Sequence, residues 1–116
     1  MSKYKTRLKV RLILYNKGKI LLLKQTKPNG GNYTLVGGNM ESNETAKETI
    51  IRESFEEAGI ILRPKDLKLV HVLQKVAQGE QRLVLYFKAQ KYEGKLEARE
   101  RRKFKAVEWF SLYDLP

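Results

Sequence analysis

The stretch GNMESNETAKETIIRESFEEAGI, residues 38–60, concentrates carboxylates in a strongly basic chain. Glu53, Glu56 and Glu57 fall close together, and Glu44 lies a short distance upstream. The 116-residue chain carries 24 Lys and Arg against 13 Asp and Glu, which gives a formal net charge of +11. A cluster of scarce carboxylates in such a chain therefore needs a physical reason.

The same stretch predicts an α-helix with well-defined ends. Thr45 and Glu48 fit a capping box, in which each side chain accepts a hydrogen bond from the backbone N–H of the other residue. Gly59 is a suitable stop because glycine readily adopts the left-handed conformation that ends many helices. We therefore predict a helix over Ala46–Ala58.

The acidic residues share one face of this predicted helix. At about 100° per residue, Glu57 lies about 40° and Glu56 about 60° from Glu53. The side chains on the roughly opposite face are expected to meet the core: Ile51, Ser54, Phe55 and Ala58. The helix is therefore expected to have one face that packs inward and one that is anionic.

Two costs make a purely structural role unattractive for this anionic face. Like charges on adjacent turns repel, at a few tenths of a kcal/mol per pair. Glu56 and Glu57 also lie in the last turn, where the helix dipole favours cations. A solvated face explains most Glu-rich helices, but a site for Mg²⁺ or Mn²⁺ explains this clustering better, because both ions prefer oxygen ligands.

The composition limits the class of protein. The length suits one domain, and a hydrophobic fraction of 41 % favours a globular fold over disorder. The absence of cysteine excludes disulfides, thiolate metal sites and cysteine nucleophiles. We see no signal-peptide pattern and no apolar run of membrane-spanning length, so a soluble cytoplasmic protein is the default expectation. The net charge is consistent either with solubility or with a polyanionic partner.

Alternating and apolar segments predict strands on both sides of the helix. Lys5, Arg7, Lys9 and Arg11 share one side of the first segment, whose other side is apolar. The predicted strands cover residues 4–15, 20–24, 33–36, 67–77, 82–91 and 104–110, and the third is expected to end at Gly37-Gly38. A final helix is expected to start near Ser111. The order of strands, helix and strands predicts one mixed α/β domain.

Residues 38–60 resemble the Nudix box, G-x5-E-x7-R-E-U-x-E-E-x-G-U, in which U is bulky and apolar. The matching positions are Gly38, Glu44, Arg52, Glu53, Glu56, Glu57, Gly59 and Ile60. The flanks fit as well, because a strand precedes the box and VEWFSLYDLP, residues 107–116, resembles the closing strand and helix start of that family. Ser54 departs from the pattern, and its hydroxyl would need a partner, such as a backbone carbonyl one turn back.

The resemblance implies a Nudix-type α/β/α sandwich with a mixed β-sheet and a catalytic loop-helix-loop. A single domain would cover residues 1–116, with a short or truncated C-terminal helix. The implied metal ligands are Glu53, Glu56 and Glu57, and Gly38 would bring backbone close to a bound Mg²⁺ or Mn²⁺. The implied reaction, as in MutT-like nucleotide pyrophosphohydrolases, is hydrolysis of a nucleoside diphosphate linked to another group.

The resemblance also implies supporting and catalytic roles. Arg52 would orient the carboxylates, Glu44 would support the loop or the outer shell of the metal, and Gly37 would let backbone approach the metal and the phosphates. The general base varies within the family between a box glutamate, such as Glu53 or Glu56, and one from a later loop. The later candidates here are Glu97 and Glu100, of which Glu100 is favoured, although both can equally be charge-balancing residues of a basic loop.

The resemblance and the small size of the chain imply a nucleotide substrate, most simply an ordinary or oxidised nucleoside triphosphate that is converted to a monophosphate and pyrophosphate. Candidate phosphate-binding residues are Lys24, Arg99 and Arg101. Two alternatives stay open: removal of pyrophosphate from RNA 5′ ends, and a non-catalytic module that binds a nucleotide or RNA. His71, within an apolar segment, is expected to be an ordinary strand residue.

Overall fold

The computed structural model describes residues 5–116, so position 4 of the first predicted strand lies outside the described residues. Its regular elements, in chain order, are β1 (Lys5–Asn16), β2 (Lys19–Gln25), β3 (Tyr33–Thr34), β4 (Val36–Asn39), α1 (Ala46–Ala58), β5 (Lys68–Ala77), β6 (Glu80–Ala89) and β7 (Phe104–Ser111). Two short 3₁₀ turns occupy Lys27–Asn29 and Pro64–Asp66. The predicted helix has the predicted bounds.

Strand β1 organises a mixed sheet. It pairs in parallel with β6, from Lys5 opposite Glu80 to Leu14 opposite Ala89. On its other edge β1 pairs antiparallel with β4 and then, at its end, with β2. The main path is β3-β2-β1-β6-β5, with β7 paired to β2. The predicted mixed α/β architecture is therefore confirmed.

The alternation within β1 determines which side of the sheet is buried. Val10, Leu12 and Leu14 are almost fully buried, and they form one core cluster with Ile50 and Ala58 of α1. Burial of a large aliphatic side chain contributes roughly 1.5–3 kcal/mol, so this contact holds the helix against β1 and β4. The face of the sheet that carries the odd-numbered residues of β1 points away from α1.

Two predictions about α1 require correction. Phe55 is 45 % exposed rather than part of the core, and the innermost aliphatic side chain of the helix is Ile50. Ser54 is buried as expected, but its hydroxyl has no hydrogen-bond partner, so the predicted bond to a backbone carbonyl is absent. A buried hydroxyl without a partner lowers stability, because it loses its bonds to water on folding.

The predicted strand over residues 33–36 is two strands, and Gly37-Gly38 do not end it. Both glycines lie inside β4, where Gly37 is opposite Arg11 and Gly38 is opposite Val10. A Cβ at Gly37 would collide with the carbonyl oxygen of Val10, so glycine is needed for this close pairing. The glycine pair in the sequence therefore indicates a close approach of the backbones of β4 and β1 rather than a turn.

The C-terminal segment also differs from the prediction. After β7 the chain forms a turn, in which the Asp114 amide donates to the carbonyl of Ser111 at 3.1 Å, and residues 111–116 contain no helix. Within residues 5–116, α1 is the only α-helix. No helix in this described part combines the length and apolar character that crossing a membrane requires.

Candidate active site

Both ends of α1 are fixed by specific hydrogen bonds. The Glu48 amide donates to the Thr45 hydroxyl at 3.1 Å, and the Thr45 amide donates to the Glu48 carboxylate at 2.8 Å, which completes the predicted capping box. At the other end Gly59 has φ 72° and donates to the carbonyl of Phe55. Because both ends of the helix are fixed, the positions of its acidic side chains relative to β4 are fixed as well.

The loop between β6 and β7 is bound to the C-terminus of α1. The amides of Glu97 and Arg99 donate to the carbonyls of Ala58 and Glu57, at 3.1 and 2.9 Å. Carbonyls in the last turn of a helix lack intrahelical hydrogen-bond donors, so the amides of the loop act as donors to them. This anchoring places Glu100 beside the helix.

Three carboxylates meet at this junction. Glu53, Glu56 and Glu100 each offer an oxygen atom, and the three oxygens lie within 4.8 Å of one another. Among the described residues this is the only such group of three or more potential metal ligands. Glu97, the other candidate in the loop, is exposed and lies outside the group.

Arg52 holds the surrounding carboxylates together. It donates to both oxygens of Glu44, at 2.7 and 3.0 Å, and to Glu53 at 2.7 Å and Glu56 at 3.2 Å. Charge-assisted bonds of this kind, especially bidentate ones, are stronger than neutral bonds and fix orientation. The geometry therefore suits the orienting role that the sequence suggested for Arg52 and the loop-supporting position of Glu44.

The pKa values of Glu44 and Glu53 are shifted in opposite directions. The hydrogen bonds from Arg52 lower the pKa of Glu44 to about 2. Burial raises the pKa of Glu53, and the neighbouring charges of Glu56 and Glu100 act in the same direction, whereas Arg52 opposes them. Glu53 is therefore held in a crowded anionic setting that a bound cation would relieve.

Glu57 lies deeper in the protein than these three carboxylates but close to them, since the charges of Glu53 and Glu100 act to raise its pKa. Its carboxylate is buried and accepts a hydrogen bond from the Gly37 amide at 2.9 Å. Burial raises the pKa of Glu57 to about 8, although the bond from Gly37 opposes the shift. In this structure Glu57 links α1 to the glycine pair of β4.

Gly38 lies directly against the cluster. A Cβ atom at this position would come within 2.6 Å of an oxygen of Glu53. Any larger residue would displace that carboxylate. Gly38 therefore leaves room for Glu53, whereas Gly37 leaves room for the backbone of β1.

The predicted phosphate-binding residues lie at three different places. Lys24 donates to the carbonyl of Gly31 at 2.6 Å and lies over the ring of Tyr33. The guanidinium of Arg99 lies 4.4 Å from the ring centroid of Phe55. Arg101 donates to the carbonyl of Lys105 at 3.2 Å and is exposed. Arg99 and Arg101 both adjoin Glu100 in sequence, and Arg99 lies beside α1 through its contact with Phe55.

Two residues of the network were missed by the sequence reasoning. The Glu41 amide donates to Glu44 at 3.1 Å, and its carboxylate lies 3.7 Å from Arg52. The hydroxyl of Thr49 donates to Glu44 at 2.9 Å. No spacing in the sequence relates Glu41 to the box residues. Thr49, however, lies one helical turn after Thr45, and this spacing can indicate a side chain beside the loop.

The family model described as "NUDIX domain" matches residues 5–116. An uncharacterized Nudix hydrolase, YvcI of Bacillus subtilis, is 41 % identical over 56 residues, which cover 48 % of this chain and 34 % of that protein. An ADP-ribose pyrophosphatase of Methanocaldococcus jannaschii is also 41 % identical over 56 residues, which cover 47 % and 33 %. The match thus spans about a third of the length of each relative.

A solved structure agrees over a much larger part of the chain. The crystal structure of a MutT NUDIX hydrolase from Burkholderia pseudomallei has a TM-score of 0.86 and 30 % identity, and the match covers 97 % of this chain and 88 % of that one. The comparison confirms the fold that the box implied. With the matching box residues and the family model over residues 5–116, it shows that the chain belongs to the NUDIX domain family.

Proposed function

We propose that this protein is a metal-dependent hydrolase of a nucleoside diphosphate linked to another group. The observation that carries the proposal is the convergence of Glu53, Glu56 and Glu100 from a helix and a separate loop. Three carboxylates at such short range repel one another, and Arg52 bonds to Glu53 and Glu56 but not to Glu100, so a further cation would relieve the remaining repulsion. A purely structural role does not explain why a basic chain would pay this electrostatic cost.

The donor set fits Mg²⁺ or Mn²⁺. Carboxylate oxygens are the ligands that these ions prefer, and a site of few carboxylates leaves room for water and phosphate oxygens. A divalent ion held by Glu53 and Glu56 would neutralise phosphate charge and lower the pKa of an attacking water. Glu57 stays a proposed ligand, because the Gly37 amide occupies only one oxygen of its carboxylate, and the other oxygen can bind the ion.

The remaining roles follow from position. Arg52 orients Glu53 and Glu56 through its hydrogen bonds. Glu100 is the proposed general base, because it alone joins the cluster from a separate loop and can accept the proton of the attacking water. Arg99, next to Glu100, is the proposed contact for a substrate phosphate.

A nucleoside triphosphate is the proposed substrate, converted to a monophosphate and pyrophosphate. A cavity of about 460 Å³, bordered by Leu8, Met40, Glu41 and Glu44, adjoins the Arg52 network and is the proposed location of the nucleoside. This volume lies within the range of about 300–1,000 Å³ that is usual for small-molecule sites. The similarity to an ADP-ribose pyrophosphatase makes ADP-ribose the second candidate.

The test is a product screen by anion-exchange chromatography. Ordinary and oxidised nucleoside triphosphates, ADP-ribose and 5′-triphosphorylated RNA would each be incubated with the protein and Mg²⁺ or Mn²⁺. We expect monophosphate and pyrophosphate from at least one triphosphate, and no product with EDTA. The double substitution Glu53→Gln and Glu56→Gln should reduce kcat about 1,000-fold, since metal stabilisation contributes several kcal/mol.

The matched control removes two exposed carboxylates outside the cluster, with Glu93→Gln and Glu97→Gln. This variant should retain wild-type turnover. If wild-type protein turns over none of the substrates, the hydrolase proposal is wrong and the non-catalytic alternative gains support.

A further inference from the structure

The face of the sheet that points away from α1 is strongly cationic. Strands β1, β5 and β6 together contain eight basic residues: Lys5, Arg7, Lys9, Arg11, Lys68, Lys75, Arg82 and Lys88. The same three strands contain a single acidic residue, Glu80. We call the part of this surface formed by Arg7, Lys9, Arg11, Lys75, Arg82, Tyr86 and His71 the basic face.

The strand register aligns its cations in a row. Arg82 of β6 is opposite Arg7 of β1 on one side and opposite Lys75 of β5 on the other. Paired residues of adjacent strands point to the same face and are about 5 Å apart. Lys9 lies two residues beyond Arg7, and therefore on the same face about 7 Å along the strand.

The electrostatic contacts agree with this placement. Burial lowers the pKa of Lys9, and the positive charges of Arg82, Arg11 and Arg7 lower it further, in that order. Glu80 contacts both Arg7 at 3.0 Å and Arg82 at 2.9 Å. One carboxylate thus faces several cations, so the basic face keeps a large excess of positive charge.

Aromatic side chains lie next to the cations. Tyr86 is opposite Arg11 in β1 and opposite His71 in β5. The rings of Tyr86 and His71 are 5.5 Å apart, and His71 is exposed. Cations and rings that share a sheet surface are the combination that binds phosphates and stacks bases of an unpaired strand.

We propose that the basic face binds single-stranded RNA. Charge complementarity and the adjacent rings favour RNA over a lipid surface, because phosphate headgroups need the cations but not the stacking partners. The face is separate from the acidic group of Glu53, Glu56 and Glu100, since the side chains of β1 that meet α1 belong to the opposite face. Of the residues of the basic face, Arg7 alone also borders the cavity next to the Arg52 network. Binding to this surface therefore does not depend on the proposed hydrolase activity.

The experiment measures fluorescence anisotropy of a 12-nucleotide oligouridylate with a 5′-hydroxyl and a 3′ dye. Divalent ions are left out, so the probe offers neither a scissile anhydride nor a metal-dependent contact. We expect affinity to fall linearly with salt on logarithmic axes. The triple substitution Arg7→Gln, Lys75→Gln and Arg82→Gln should weaken binding at least tenfold at low salt and make the slope shallower by about 2, at about 0.7 per phosphate contact.

The matched control removes three exposed lysines elsewhere, with Lys17→Gln, Lys65→Gln and Lys95→Gln. It lowers the net charge equally, and it should lose less than about threefold in affinity. Tyr86→Leu keeps the apolar volume but loses the ring, so it should weaken binding about tenfold with an unchanged salt slope. Unchanged thermal unfolding would show that each variant is folded.

Three results would overturn the proposal. The first is equal loss of affinity in the control and in the basic-face variant, which would mean that only net charge matters. The second is retention of wild-type affinity by the folded basic-face variant. The third is binding of the wild-type protein to vesicles containing phosphatidylserine together with no binding to the oligouridylate, which would identify a lipid surface instead.

Discussion

The two faces of the sheet differ in charge and in how that charge is assembled. On the face toward α1, three carboxylates lie within 4.8 Å of one another, and they come from a helix and a distant loop. On the opposite face, cations follow the alternation of the strands and are separated by the spacing of the sheet. The acidic group is concentrated at a point, whereas the basic face is spread over three strands.

This difference indicates two kinds of ligand. Concentrated carboxylates, with Arg52 in contact with two of them, suit a small ion of high charge density. A spread of cations beside the half-buried Tyr86 and the exposed His71 suits an extended polyanion. One strand can serve both faces because successive side chains of β1 point in opposite directions.

The largest effect of a single substitution is expected from removal of the loop's contribution to the acidic group. Glu100→Gln should lower kcat about 100- to 1,000-fold, because a general base contributes about that factor. Thermal stability should stay the same or rise, since the negative charge of Glu100 raises the pKa of Glu53. Steady-state kinetics with the best substrate from the screen, together with calorimetry, would measure both effects.

Glu97→Gln is the matched control for this prediction, because Glu97 belongs to the same loop and lies outside the cluster. Its kcat should be within about twofold of the wild-type value. Equal activity of Glu100→Gln and wild type would contradict the assignment of the base to the loop.

An intermediate effect is expected from Arg52→Gln. The substitution removes charge-assisted bonds to Glu44, Glu53 and Glu56, and the free energy of unfolding should fall by about 2 kcal/mol. Urea denaturation at low ionic strength would measure the change. Arg63→Gln is the control, because Arg63 has a loose, exposed contact of 3.6 Å with Glu93 and should change stability by less than about 0.5 kcal/mol. Similar losses in both variants would show that the Arg52 network contributes little.

The smallest effect is expected at the single carboxylate of the basic face. The hydrogen bond from Arg82 lowers the pKa of Glu80, so the charged form is favoured in the folded state. Its stabilising contribution is present above the unfolded pKa of about 4.3 and is lost as the pH falls below that value.

Glu80→Gln should therefore lower the melting temperature slightly at pH 7, by a few degrees at most. The difference from wild type should narrow as the pH is lowered below about 4.3. The same variant should bind the oligouridylate more tightly, because it removes the negative charge that faces Arg7 and Arg82. A melting difference that widens in acid would show that Glu80 acts by another route.

Local features of the site could be predicted from the sequence because they depend on neighbouring residues. The capping box at Thr45 and the stop at Gly59 are interactions over a few positions, and the predicted helix bounds agree with the structure. The helical angle of Phe55 predicts a core position, but α1 covers β1 and β4 and leaves Phe55 exposed beside Arg99 of the following loop. Helical periodicity indicates a direction but does not show what lies there.

The sequence by itself determined the box spacing, the helix bounds and the alternation of charge along β1, because each arises from periodic or nearest-neighbour geometry. The tertiary structure decided that Glu100 rather than Glu97 joins Glu53 and Glu56, because amides of the loop bind carbonyls at the end of α1. It also decided that Glu57 bonds to Gly37, and that Lys75, Arg82 and Arg7 form one row. These contacts join residues far apart in the chain, so only the packing of the elements against one another could establish them.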